Sequence, residues 1–138
     1  MIGIDTNVLV RVLVDDEKAA GQCRKARALL IQHDKIFISR VVVTETVWVL
    51  QRVYAVGKDQ ILTYLNRLLL QKELVFEDRP LIERAYEIYR GETFGFSDAL
   101  ILASHEPRQC LLYTFDKTLA RHTQARNLEQ ITQQADAS

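Results

Sequence analysis

The chain has 138 residues, 48% of them hydrophobic and 26% charged, which suits one folded domain and excludes a disordered or fibrous protein. Lys plus Arg and Asp plus Glu each total 18, so the formal net charge is zero, and any affinity for nucleic acid must come from local charge placement. The two cysteines, Cys23 and Cys110, form no Cys/His metal pattern and read as small buried hydrophobes in a reducing compartment.

Short apolar runs alternate with longer helical patterns, which predicts a parallel sheet covered by helices. The first strand is Met1 to Ile4, ending abruptly at Asp5. Thr6 or Asn7 then caps a helix that runs through Leu13. Asp15-Asp16 supplies the next cap, for a helix from Glu17 to His33. Ile36 to Ile38 is a second strand, ending at Ser39.

The run Val41 to Tyr54 is rich in β-branched residues but too long for a strand, so it reads as a buried helix ended by Gly57. Asp59 opens a helix through Gln71, and Leu74 to Phe76 is a third strand. Pro80 suits the first turn of a helix reaching Tyr89, with Gly91 closing it. Ser97 is the expected N-cap of a helix from Asp98 to His105. Cys110 to Tyr113 is the fourth strand, Leu128 to Ile131 a possible edge strand, and residues 135–138 are expected to fray. No repeat or linker interrupts this pattern, so a single domain over residues 1–138 is expected. No segment approaches bilayer-spanning length and no secretory leader is visible, so a cytoplasmic protein with no membrane partner is expected.

Four acids occupy informative places: Asp5 after the first strand, Glu45 in the apolar helix, Asp98 at a helix start and Asp116 after the fourth strand. Ligands of open α/β sheets bind beyond the carboxyl ends of the strands, which is where three of these acids are predicted to stand. A carboxylate at the edge of an apolar segment needs a partner, and four suggest a shared cation. Oxygen donors without imidazole or thiolate select Mg²⁺ or Mn²⁺, so the set suits water attack on a phosphodiester. Each acid also has a plainer reading. Asp5 and Asp116 suit turns, and Ser97-Asp98 suits a capped helix start. Glu45, between Val43 and Val47, is the hardest to explain that way.

Thr6, Asn7, Ser97 and Thr114 are candidates to orient the carboxylates or contact the scissile phosphate. Arg11, Arg40 and Lys117 are candidates to guide phosphates to the rim. Trp48 reads as core or subunit interface, and Tyr54, Tyr64, Tyr86 and Tyr89 as helix packing.

Together, Ile4-Asp5-Thr6-Asn7-Val8-Leu9, Thr44-Glu45 with Trp48-Val49-Leu50, Phe96-Ser97-Asp98-Ala99-Leu100-Ile101 and Thr114-Phe115-Asp116-Lys117-Thr118-Leu119 resemble the PIN-domain ribonucleases, above all the VapC-type toxins of toxin–antitoxin pairs. The resemblance implies a three-layer α/β/α fold with a central parallel sheet of four or five strands. It implies an endoribonuclease dependent on Mg²⁺ or Mn²⁺, with Asp5, Glu45, Asp98 and Asp116 catalytic and Asp5, Asp98 and Asp116 holding the metal. It implies an RNA substrate and a small antitoxin partner, and the apolar helices suggest a homodimer. A housekeeping RNA-processing nuclease shares these motifs. A receiver-like phosphoacceptor module also places acids at strand ends, but would carry an acidic pair after the first strand.

Overall fold

The computed structural model describes residues 1–129 and shows an α/β fold. The chain divides into two compact units, Met1–Ile82 and the part beginning at Glu83. The Leu128 to Ile131 strand and the fraying end of the sequence reading reach outside the described residues.

The first unit holds strands β1 (Ile2–Gly3), β2 (Ile36–Ile38) and β3 (Leu74–Phe76) in one parallel sheet of order β1-β2-β3. Ile36 pairs with Ile2 on one side and Leu74 on the other, and Ile38 pairs with Phe76. Ile36 and Ile38 are fully buried while Phe37 between them is half-buried, the alternation of a pleated strand. Helices α1 (Thr6–Leu13) and α2 (Ala20–Gln32) connect β1 to β2, and α3 (Arg40–Arg52) and α4 (Lys58–Leu70) connect β2 to β3. Parallel pairing requires such crossovers. It also sets the strand ends Ile4, Ile38 and Phe76 side by side. The ladder closes there through Ile4 N–H to the Phe37 carbonyl (3.3 Å) and Glu77 N–H to the Ile38 carbonyl (3.0 Å).

α1 packs on both α2 and α3. Leu9 and Val10 are buried on α1, and Val43, Val47 and Leu50 on α3. Each such aliphatic side chain contributes about 1.5–3 kcal/mol through its removal from water. On α3 the buried residues recur at three-to-four spacing, and the same period turns Val41, Glu45 and Trp48 to solvent. Trp48 is therefore not core: it is 56% exposed, with the Arg52 guanidinium 5.8 Å from its ring centre. The end of α3 also differs from expectation. The chain turns through Ala55 in left-handed backbone (φ 53°), at a cost of about 1–2 kcal/mol. Gly57 instead stands at the N-cap of α4.

Helix α5 (Arg79–Gly91) leads into the second unit, which holds α6 (Phe96–His105) and the parallel pair β4 (Leu112–Thr114) and β5 (Ala125–Asn127). The expected sheet of four or five strands is thus seen as a three-stranded and a two-stranded sheet. The last strand among the described residues, β5, lies just before the Leu128 to Ile131 run, with buried Ala125 as its first residue. Tyr89 and Phe96 meet edge to face in this unit at 5.8 Å. Cys23 is buried and Cys110 exposed; both are free thiols. No described helix is long and apolar enough to cross a membrane.

Candidate active site

Asp5 stands where β1 gives way to α1, and it is itself the N-cap of that helix. Its Oδ1 accepts from the Val8 N–H at 3.1 Å. The cap thus falls one residue earlier than expected, which leaves Thr6 in the first helical turn with a free role for its hydroxyl. That hydroxyl donates to Glu45 Oε2 at 3.0 Å. Residues 39 apart in sequence are joined here because α1 packs on α3. Glu45 is exposed, so the partner its apolar surroundings demanded is a single hydroxyl at the surface. Asn7, in the first turn of α1, is exposed.

The cations expected to guide phosphates have other duties in this unit. Arg40 is bound to Glu77 by its backbone N–H (3.1 Å), its Nε (2.9 Å) and its second terminal nitrogen (2.9 Å). These contacts, the backbone bond first, hold the Glu77 carboxyl below its ordinary pKa. Arg11 donates to Gln22 Oε1 (3.0 Å) and to the Tyr54 hydroxyl (2.6 Å). Tyr54 in turn donates to Asp16 Oδ2 at 2.8 Å, and this bond lowers the Asp16 pKa. Tyr54 is therefore a polar strut rather than plain helix packing. The signal for it was Arg11, a cation interrupting an apolar run, which has to find partners. Lys117, in the second unit, is exposed.

In the second unit Asp98 sits in the first turn of α6, half-buried. Ser97 does not cap this helix. The N-cap is Gly95, without a side-chain bond, so Ser97 lies inside the first turn and is exposed. The apolar residue Phe96 is buried and draws the start of the helix forward. Asp116 follows β4. Its N–H donates to Thr114 Oγ1 at 3.0 Å, and its Oδ1 accepts from the Leu119 N–H at 3.0 Å. Thr114 thereby fixes the turn that presents Asp116. Burial raises the Asp98 pKa, and the charge of Asp116 raises it further.

The candidate acids and their supporting hydroxyls thus fall in two sets, Asp5, Thr6 and Glu45 in the first unit and Asp98, Thr114 and Asp116 in the second. Among the described residues, neither unit gathers three carboxylate, imidazole or thiolate groups into a ready-made metal cage.

A family model for the PIN domain matches residues 2–124 of this sequence. The chain belongs to the PIN-domain family. The PIN match covers all four acids and crosses from the first unit into the second. Among solved structures, VapC20 of Mycobacterium tuberculosis, described as a toxin that cleaves the sarcin–ricin loop, is similar. It is 18% identical, with a TM-score of 0.45, over 88% of this chain and 94% of that one. No curated protein matches the sequence.

The donor chemistry of this PIN chain fits a hard divalent cation. All four acids offer oxygen alone, and Asp98 holds its proton more tightly partly because Asp116 stands near, a repulsion that a cation relieves. The same repulsion acts on stability. With a folded pKa raised above 3.8, the native chain binds more protons than the unfolded one in that window, so stability falls as pH rises through it. In metal-free buffer, Asp98→Asn is expected to melt higher than the wild type at pH 7. The gap should close on acidification to pH 3, where both forms are neutral. Melting curves at the two pH values check this, and an unchanged or lower Tm at pH 7 would refute it.

Proposed function

We propose that this protein is a Mg²⁺- or Mn²⁺-dependent endoribonuclease that hydrolyses RNA phosphodiesters, and that it serves as the toxin of a type II toxin–antitoxin pair. The observation that carries the nuclease reading is the PIN match, which runs through Asp5, Glu45, Asp98 and Asp116 in one stretch. The toxin reading rests on the likeness of the motifs around those acids to VapC-type sequences. Because the match crosses Ile82 and Glu83, we take both units as parts of one nuclease domain.

In this reading Asp5, Asp98 and Asp116 hold the ion. The bound ion supplies positive charge against the phosphate and lowers the pKa of water. Asp116 is presented by the Thr114 turn, and Asp5 by its place at the N-cap of α1. Glu45 orients the attacking water and takes its proton, and the Thr6 hydroxyl fixes the carboxylate for that task. Asn7 and Ser97, exposed near these acids in sequence, contact the phosphate.

A small antitoxin would silence the site by placing a guanidinium among the carboxylates, where it replaces the cation's charge with bidentate hydrogen bonds. The solvent-facing Val41 and Trp48 on α3 suit a second copy of the chain, so we assign a homodimer. Cytoplasmic RNA is the substrate pool.

Expression of the chain alone in a bacterial host is expected to arrest growth and cut cellular RNA. Co-expression of the small protein encoded beside it should relieve both effects. RNA cleavage in vitro together with harmless overexpression would move the assignment to a housekeeping RNA-processing nuclease. Absence of cleavage by folded protein would remove the nuclease reading.

A further inference from the structure

One cavity of the first unit opens beside Asp5, between α1 and α2, with a volume of about 450 Å³. That lies in the range of small-ligand sites. Its apolar wall is Val8 from α1 with Ala26 and Leu29 from α2. The rest of its lining is polar, and every polar group but Asp5 is a cation or an amide: Asn7, Arg11, Gln22 and Lys25. On α2 the residues 22, 25, 26 and 29 share one helical face, which is how two polar and two apolar side chains come to line the same hollow.

The orientation of Gln22 follows from its partner. Arg11 has only donors, so the Gln22 atom it meets at 3.0 Å is the carbonyl oxygen, and the amide N–H groups are left to face elsewhere. Arg11 is held in place by the Tyr54 hydroxyl at 2.6 Å, and Tyr54 in turn donates to Asp16 at 2.8 Å. Gln22 is thus a pre-set donor at the wall of the cavity. Lys25 is exposed there and pairs with no carboxylate among the described residues.

We propose that this cavity holds one unpaired nucleotide of the RNA strand, next to the phosphate that is cut. The base lies on the apolar wall, Gln22 donates to an acceptor on the base edge, and Lys25 meets a flanking phosphate. This rests on the nuclease reading and adds a specificity-determining subsite to it. Single strands are the natural occupant, since their bases are free to leave a stack and present an edge. Charge decides between occupants: an anionic strand suits Lys25 and the amides, whereas a basic protein segment does not.

The test uses the full chain carrying Asp98→Asn, which disables cleavage without touching the cavity, and measures binding of short single-stranded RNA by fluorescence anisotropy. Lys25→Ala is expected to weaken binding by about tenfold at low salt, and to reduce the slope of log affinity against log salt by about 0.7. Lys72→Ala, at an exposed lysine that does not line the cavity, should leave both unchanged. Gln22→Leu should leave the salt slope intact while altering the relative affinities for oligomers of U, C and A. With Asp98 restored, the same substitutions should shift the positions of cleavage. If wild-type protein cuts RNA but Lys25→Ala and Gln22→Leu bind and cut as it does, the subsite is wrong and the nuclease reading stands. If those variants lose only their hold on the antitoxin, the cavity is a protein-binding site and the proposal is overturned. If the wild type neither binds nor cuts RNA, both readings fall.

Discussion

Chelation is expected to abolish RNA cleavage by this protein, and Mg²⁺ or Mn²⁺ to restore it. The reasoning starts from the carboxylates. Asp98 is half-buried and holds its proton more tightly because of its burial and of the charge of Asp116, a crowding of negative charge that a bound cation relieves. The phosphodiester adds a further negative charge, and among the described residues no ion pair joins Asp5, Glu45, Asp98 or Asp116 to a cation. Arg40 is already joined to Glu77, and Arg11 to Gln22, Tyr54 and Asp16. A divalent ion is worth several kcal/mol to such a transition state, so its removal should cost at least about a thousandfold in rate. The measurement is the cleavage rate of single-stranded RNA in excess EDTA, then after titration with Mg²⁺, Mn²⁺ and Ca²⁺. Undiminished cleavage in EDTA would sink the metal mechanism.

The parts of this design that depend on local sequence could be read directly. β1, β2 and β3 stand where short apolar runs predicted them, and the α3 helix emerges from a β-branched run because its length rules out a strand. The parts that failed depend on what a residue meets far along the chain. Ser97 looks like a cap by residue type alone, but buried Phe96 pulls the helix start forward and Gly95 takes that place. Of the two places the sequence offers Trp48, core or subunit interface, its exposure overturns the core one; counting three-to-four from the buried Val43 and Val47 would have put it in solvent with Val41 and Glu45. Cys110 follows the rule for its residue type in composition, not in place, since it lies just before β4 and is exposed. The Thr6–Glu45 bond, the Tyr54 strut and the α1–α2 cavity have no local signature. They arise from helix packing, and only the isolated charge of Arg11 hinted that a polar network was present. The places of Asp5, Asp98 and Asp116 beside element ends follow from propensity and periodicity, which mark such boundaries, whereas Glu45 lies inside α3 and stood out only as a charge in an apolar run.

Replacing Asp5 separates chemistry from folding, because this carboxylate has one task in each. As the N-cap of α1 it accepts from the Val8 N–H, and an amide oxygen can accept that bond as well as a carboxylate can. Asp5→Asn should therefore fold with nearly wild-type stability. Asp5→Ala loses the cap and should be destabilised by about 1 kcal/mol, visible as a lower midpoint in urea at an unchanged slope. For cleavage the two variants should be alike. Both remove the negative charge at the end of β1, and an amide is a poor substitute for a charged ligand to a hard cation. A loss of at least two to three orders of magnitude in kcat/KM, about 3–4 kcal/mol of transition-state stabilisation, is expected for each. A purely structural role predicts the reverse order: Asn near wild type and Ala impaired, with activity following stability. Single-turnover cleavage beside urea unfolding of the same two preparations distinguishes the cases, and an Asp5→Asn protein that cleaves normally would show that the site has been placed on the wrong acids.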